Sequence, residues 1–201
     1  MMELADWIRR EGQVISDEFL RVDGFLNHRI APAFIEAAAL QICARFADER
    51  VTLVLTAEAA GNVVAYEIAR RIDARAVYAK KGKAATMARP IVRDLRSPTK
   101  RVKTQIAVSL DYLTARERVL IVDDFLFRGR TSAALADMVL EAGATLVGFA
   151  FLIEKGFAEG RGALSRFAVP IESLLCVEHM DPETGSITLS DRPAAAGAAG
   201  G

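Results

Sequence analysis

Two adjacent carboxylates, Asp123 and Asp124, end an apolar run in the segment VLIVDDFLFRGRT, residues 119–131. Neighbouring acids repel, so packing them together costs stability unless ligand hydroxyls, N–H donors or a metal ion compensate. A short turn with Gly129 follows, then Thr131 and an amphipathic stretch. This order reads as a buried parallel strand that delivers the acids and a backbone-lined turn to the carboxyl edge of a sheet, where α/β proteins bind ligands. The arrangement suits a sugar phosphate: carboxylates accept from vicinal hydroxyls, and turn and helix N–H groups hold the phosphate. The amides of residues 127–131 form the expected cradle. Arg128 and Arg130 can add charge-assisted hydrogen bonds or point to solvent, and the Thr131 hydroxyl can cap the helix as well as touch phosphate.

Three further groups fit a diphosphate-bearing ligand. Glu58-Ala59-Ala60-Gly61 follows an apolar strand and opens a helix. Small residues there let the backbone approach an anion, although the same turn also serves as a plain strand–helix connection. Lys80 and Lys81 end the next strand and can neutralise diphosphate charge, or simply be solvated. Residues 83–103 carry Lys83, Arg89, Arg93, Arg96, Lys100, Arg101 and Lys103 with Pro90 and Pro98. They show no sustained periodicity and read as a long mobile loop or irregular hairpin, suited to a lid that closes over the ligand and excludes water. Glu154-Lys155 ends the strand after the acid motif. A lysine at that edge can donate to a ligand carbonyl, which on a purine would favour a 6-oxopurine over adenine with its amino donor there, or it can be a plain surface lysine. Mg²⁺ bound by a diphosphate could sit near the acids.

The elements that must position these groups alternate along the chain. Helices are expected over 2–11, from Pro32 to about 49, after the EAAGN turn (58–62) through Ile72, over 131–142 and near 158–167; Pro32 suits a first helical position. Strands are expected at 51–56, 74–82, 105–113, 118–124, 145–155 and 171–180, with SITLS as a short last one. Residues 14–31 match no regular core element. Alternation of this kind implies an α/β fold with a mainly parallel sheet flanked by helices and right-handed crossovers. The tail RPAAAGAAGG from Arg192 is of low complexity and reads as disordered.

Bulk properties narrow the class. A chain of 201 residues with 52% hydrophobic content suits one domain with a substantial core. Formal net charge is zero, which gives no non-specific attraction to nucleic acid or anionic membrane. The basic stretch lacks the interleaved aromatics of a base-stacking surface. No apolar run approaches the ~20 residues that span a bilayer, and MMELADWIRREG has no signal-peptide core. Cys43 and Cys176 are isolated, consistent with buried thiols in a reduced, cytoplasmic setting. His28 and His179 have no nucleophile to pair with.

The acid motif resembles the phosphoribosyl diphosphate (PRPP) binding motif of type I phosphoribosyltransferases. The resemblance narrows to bacterial xanthine phosphoribosyltransferases through FLRVDGFLNHRIAP (19–32), TAEAAG (56–61), YAKKGKAATM (78–87), TQIAVS (104–109), VDDFL (122–126) and IEKGF (153–157), in order over about residues 1–180. It implies a single domain over 1–191, with an N-terminal hood mainly in 1–35 plus C-terminal elements. It further implies transfer of the phosphoribosyl group from PRPP to xanthine, Mg²⁺ carried by the diphosphate, and a homodimer. By the same resemblance Asp123 and Asp124 orient the ribose. Glu58 to Gly61, Lys80, Lys81 and residues Phe127 to Thr131 hold PRPP, and Leu20, Asn27 and Lys155 contact the base. Many family members have Thr-Gly-Gly-Thr where this chain has Arg128-Gly129-Arg130-Thr131. Some purine relatives place a further acid where Phe127 stands, so no side chain is assigned the base proton. A hypoxanthine or guanine enzyme, or a PRPP sensor without turnover, remains open at this stage.

Overall fold

The computed structural model describes residues 2–82, 87–96 and 103–190. Its centre is an eight-stranded sheet in the order β10-β9-β8-β7-β3-β4-β6-β5. The strands are β3 (Leu53–Ala57), β4 (Arg75–Lys81), β5 (Pro90–Arg96), β6 (Lys103–Ser109), β7 (Arg118–Leu126), β8 (Thr145–Lys155), β9 (Ile171–Met180) and β10 (Ile187–Ser190). β9, β8, β7, β3 and β4 run parallel, while β10, β6 and β5 are added antiparallel at the two sides. Near-continuous apolar runs such as LVLTA and TLVGFAFLIEK form strands covered on both faces, and every residue of β3 is buried.

Helices α2 (Pro32–Arg45) and α3 (Gly61–Arg71) cover one face, through Phe34, Ile35, Ile42, Val64 and Ile68. Helix α4 (Arg130–Glu141) covers the other, through Leu135, Met138 and Val139. Pro32 stands at the start of α2, where its missing N–H has no intrahelical partner to lose. The chain leaves β3 through α3 towards β4, and leaves β7 through α4 towards β8, on opposite sides. The carboxyl ends of β3 and β7 are neighbours that part in opposite directions. That crevice is the switch point at which open α/β sheets bind ligands.

The N-terminal segment is more built than its sequence pattern suggests. Helix α1 (Leu4–Glu11) buries Leu4 and Ile8. Short strands β1 (Gln13–Val14) and β2 (Leu20–Arg21) pair antiparallel, and a π-helical turn spans Asp23–Asn27. Leu20, Val22, Phe25 and Leu26 are buried although they follow no period, and Trp7, Phe25 and Phe34 form an aromatic cluster with ring centroids 4.9–6.1 Å apart. Ile187 and Leu189 of β10 pack against the same apolar cluster.

The basic segment differs from expectation. Residues 90–96 and 103–109 form two paired strands with continuous register from Pro90↔Ser109 to Arg96↔Lys103. The strand expected over 105–113 is thus displaced to Lys103–Ser109, and a turn follows. Residues 83–86 and 97–102 of the expected lid, and the tail from 191, lie outside the described residues. Helix α5 (Gly160–Leu164) is shorter than expected.

Candidate active site

Strand β7 carries Asp123 and Asp124 three and two residues before its end at Leu126, slightly deeper in the sheet than expected. The backbone N–H of Asp124 donates to Asp123 Oδ1 at 3.0 Å, and that of Phe125 donates to Asp124 Oδ1 at 2.9 Å. Burial, reinforced by the Asp124 charge, raises the Asp123 pKa well above the usual carboxylate range, and the nearby Lys81 charge pulls it partly back. Asp123 therefore keeps its proton to higher pH than an exposed carboxyl does.

The β3–α3 turn closes against these acids because Gly61 has no side chain. A Cβ built on Gly61 would lie 3.2 Å from Asp123 Oδ1 and 2.0 Å from Thr56 Oγ1. Thr56 is buried, and its hydroxyl has no hydrogen-bond partner among the described residues. Glu58 ties the turn to the neighbouring strand: its N–H donates to the Ala79 carbonyl at 3.1 Å, and its carboxylate accepts from the Lys81 N–H. Ala59 and Ala60 complete the turn, which leads into the first α3 amides. The Asn62 N–H donates to the Ala59 carbonyl at 3.2 Å, and a helix N-terminus of this kind favours negative charge.

The two lysines of β4 divide. Lys81 sits at the Glu58 contact and acts on Asp123. Lys80 instead lines a cavity of about 620 Å³ with Tyr78, Ser109, Asp111 and Tyr112, where β4 and β6 splay apart.

Beyond the acids, Gly129 adopts φ +65° and is the N-cap of α4. The left-handed conformation there suits glycine. Thr131 lies inside the helix, so the cap expected of its hydroxyl is taken by the glycine instead. Arg128 is exposed; its guanidinium lies 3.5 Å from Glu18 Oε1 and 5.0 Å from the centroid of the Phe127 ring. Arg130 is the first residue of α4.

Lys155 ends β8 and is only 7% exposed. Its Nζ donates to the Glu18 carbonyl and lies 4.5 Å from the Phe127 ring and 5.5 Å from those of Phe19 and Phe125. Burial lowers its pKa, offset in part by Glu18 and Asp124. Phe127 is therefore beside the lysine assigned to the base, not only in the phosphate turn. Leu20 packs its side chain into the core, and the preceding residue, Phe19, is the one that meets Lys155. Asn27 donates to Asp124 Oδ2 at 3.3 Å, so the N-terminal segment reaches the acid pair directly. His28 and His179 take no part in this cluster.

Acids, a glycine-opened anion turn, a second glycine turn and a buried lysine thus meet at one sheet edge. The family model described as "Phosphoribosyl transferase domain" matches residues 22–162, which contain all four; Glu18, Phe19 and Leu20 precede the matched residues. The chain belongs to the phosphoribosyltransferase family. Among curated relatives, the xanthine phosphoribosyltransferase of Chloroflexus aurantiacus is 44% identical over 171 residues, 85% of this chain and 81% of that one. Its namesake from Brevibacillus brevis is 40% identical and covers 96% of this chain and 99% of its own. This phosphoribosyltransferase therefore groups with the xanthine phosphoribosyltransferases, and it is an enzyme of the pentosyl-transfer class. The fold is confirmed independently by adenine phosphoribosyltransferase structures. That of Giardia lamblia superposes with a TM-score of 0.74 at 21% identity, over 86% of this chain and 97% of that one. That of Rhodothermus marinus gives 0.70 at 22% identity, over 85% and 96%. These likenesses establish the type I phosphoribosyltransferase fold alone.

Residues missed from the sequence are Glu18, Phe19, Phe125 and Thr56. Phe125 lay within the quoted motif, but an aromatic in an apolar run reads as core. Glu18 and Lys155 are 137 positions apart, a pairing no local pattern announces.

Proposed function

We propose that this enzyme transfers the 5-phosphoribosyl group of PRPP to xanthine, giving xanthosine 5′-monophosphate and pyrophosphate. The observation that carries the reading is a buried lysine, Lys155, beside an acid pair in a chain 35–44% identical to several xanthine phosphoribosyltransferases. Full-length likeness to enzymes disfavours a PRPP sensor without turnover.

In this reading Asp123 and Asp124 accept from the ribose hydroxyls, which offsets the burial and the mutual repulsion that raise the Asp123 pKa. The Glu58–Gly61 turn and Lys81 hold the diphosphate, with Lys80 further from the pair. The amides of 127–131, helped by Arg128, Arg130 and Thr131, hold the 5-phosphate. Lys155 donates to a purine carbonyl, with Leu20 and Asn27 completing the base side. A new bond forms between the base nitrogen and the anomeric carbon as the carbon–oxygen bond to diphosphate breaks. Alignment and stabilisation of the departing charge are the work left to the protein.

No three His, Cys, Asp or Glu side chains converge as metal ligands among the described residues. Two carboxylates fit a Mg²⁺ ion that arrives with the diphosphate and takes most ligands from it, where it would neutralise leaving-group charge. A homodimer in the cytoplasm follows from the family reading. The exposed Tyr78 and Tyr112 around the open side of β4 offer apolar surface for a second copy, and light scattering of the purified protein tests it.

The decisive assay follows pyrophosphate release with PRPP, Mg²⁺ and each of xanthine, guanine, hypoxanthine and adenine. Turnover highest with xanthine is expected. A preference for guanine or hypoxanthine would move the assignment within the 6-oxopurines, and a preference for adenine would overturn the role given to Lys155.

A further inference from the structure

The turn at 127–129 does not stand alone. It rests backbone on backbone against the start of α5. A Cβ on Gly160 would lie 2.4 Å from the Phe127 carbonyl oxygen and 2.8 Å from Leu126 Cδ1, and a Cβ on Gly129 would lie 2.8 Å from the Gly160 carbonyl oxygen. The two glycine backbones pack directly on each other, bordered by Leu126 and Leu164, so a shift in one is transmitted to the other.

Gly160 is fixed by its neighbour. Arg161 donates through Nε and Nη2 to both oxygens of Glu154, at 3.0 and 2.6 Å, and through Nη1 to the Ile171 carbonyl at 2.8 Å. Glu154 is 3% exposed, pairs in register with Leu126 on β7, and directly precedes Lys155. A forked guanidinium on a buried carboxylate holds both distance and orientation. The fork therefore connects the end of β8, the start of β9 and the Gly160 backbone under the turn.

We propose that Glu154 and Arg161 are positioning residues for the 127–131 turn: their ion pair sets the place of Gly160, and Gly160 sets the height at which the turn amides meet the phosphate of PRPP. The inference rests on the reading of that turn as the phosphate site. A second buried pair supplies the contrast. Arg45 bonds Glu172 at 2.9 Å and the Ser173 carbonyl at 3.0 Å, and Glu172 is 6% exposed; Arg161 Nη2 also reaches the Ser173 hydroxyl at 3.5 Å, but neither Arg45 nor Glu172 packs against Gly129 or Gly160.

The test removes each pair whole, since a lone buried charge unfolds proteins for reasons unrelated to positioning. In Glu154→Leu/Arg161→Met, kcat/KM for PRPP is expected to fall at least tenfold with folding retained by circular dichroism, and KM for PRPP to rise more than KM for xanthine. A misplacement of about 1 Å in such a site costs on the order of 100-fold. Arg45→Met/Glu172→Leu is expected to stay within threefold of wild type. Arg161→Lys keeps the charge but loses the fork; it is expected to fold and to fall between wild type and the double variant, and it decides the matter should the double variant fail to fold. The proposal is overturned if the Glu154/Arg161 double variant, or failing that Arg161→Lys, keeps kcat/KM for PRPP within threefold, or if the Arg45/Glu172 variant loses as much. Gly129→Ala separates the two layers: if it leaves KM for PRPP unchanged, the phosphate assignment is at fault; if it raises KM while the Arg161 variants do not, only the positioning role fails.

Discussion

Gly61→Ala places a methyl carbon 2.0 Å from Thr56 Oγ1 and 3.2 Å from Asp123 Oδ1. The first contact cannot be relieved by a small side-chain adjustment: Thr56 is 1% exposed and β-branched, with few rotamers open to it. The α3 backbone must move instead. Overpacking of this kind costs about 1–3 kcal/mol, which in a chain of this size lowers the melting temperature by about 2–12 °C. Thr56→Ala should be close to neutral by itself, since the lost methyl contacts are offset by removal of a buried hydroxyl that has no partner among the described residues. The double variant Thr56→Ala/Gly61→Ala removes the 2.0 Å clash but leaves the Asp123 contact. It should regain at least half of the lost melting temperature while KM for PRPP stays raised. Scanning fluorimetry and pyrophosphate-release kinetics on the four proteins give both readouts. The reasoning is refuted if Gly61→Ala melts within 1 °C of wild type, or if the double variant recovers no stability. Full recovery of KM in the double variant would remove Asp123 from the account of the turn.

Asp123→Asn should raise the melting temperature of the ligand-free protein at neutral pH. The folded pKa is raised, so the folded state binds more protons and stability falls as pH rises from the ordinary carboxylate range through that raised value. The advantage of the variant should vanish near pH 3–4, where the carboxyl is protonated in both states; an advantage constant with pH would contradict the buried-charge explanation. Asp124→Asn should remain folded and raise KM for PRPP about 10- to 150-fold, the loss of one charge-assisted hydrogen bond worth about 1.5–3 kcal/mol; unchanged kinetics would exclude the ribose role. Lys155→Met should stabilise the ligand-free fold at pH 7, because a lysine with a lowered folded pKa penalises folding below that pKa and ceases to do so above the unfolded value. The same variant should lose discrimination of xanthine against adenine, measured as a ratio of kcat/KM. Lys81→Ala should weaken PRPP binding more than Lys80→Ala, as read by titration calorimetry, because the Lys81 charge acts on Asp123 while Lys80 lines the cavity between β4 and β6.

The sheet was legible where burial on both faces produced unbroken apolar runs, as in β3, β7 and β8, and where glycine and proline marked the ends of helices. β5 was not. Over residues 90–95 of that strand Ile91 is the one buried side chain, Val92 is exposed, and Arg93 and Asp94 pair with partners outside the core. A charged outer strand of this kind is guarded against edge pairing and carries no clean alternation. The N-terminal segment failed for a different reason: Val22, Phe25 and Leu26 are buried from an irregular turn, which has no period to detect. Within the site, the acids and Gly61 announced themselves because their chemistry is local. Phe19 and Glu18 did not, because only the folded chain carries them to Lys155. Thr131 was misread as a cap because Gly129 already holds the left-handed position from which α4 starts.

The peptide carbonyl of Glu18 already occupies Lys155 in the ligand-free chain. That bond holds the ammonium in place and leaves two N–H donors; under the proposed assignment a 6-oxopurine carbonyl takes one of them in exchange for water, so the net gain in affinity is small. An aminopurine would turn its own N–H groups towards those donors and leave them unsatisfied in a buried site. Selection at this position then arises from the fee charged to the wrong guest, not from a reward to the right one.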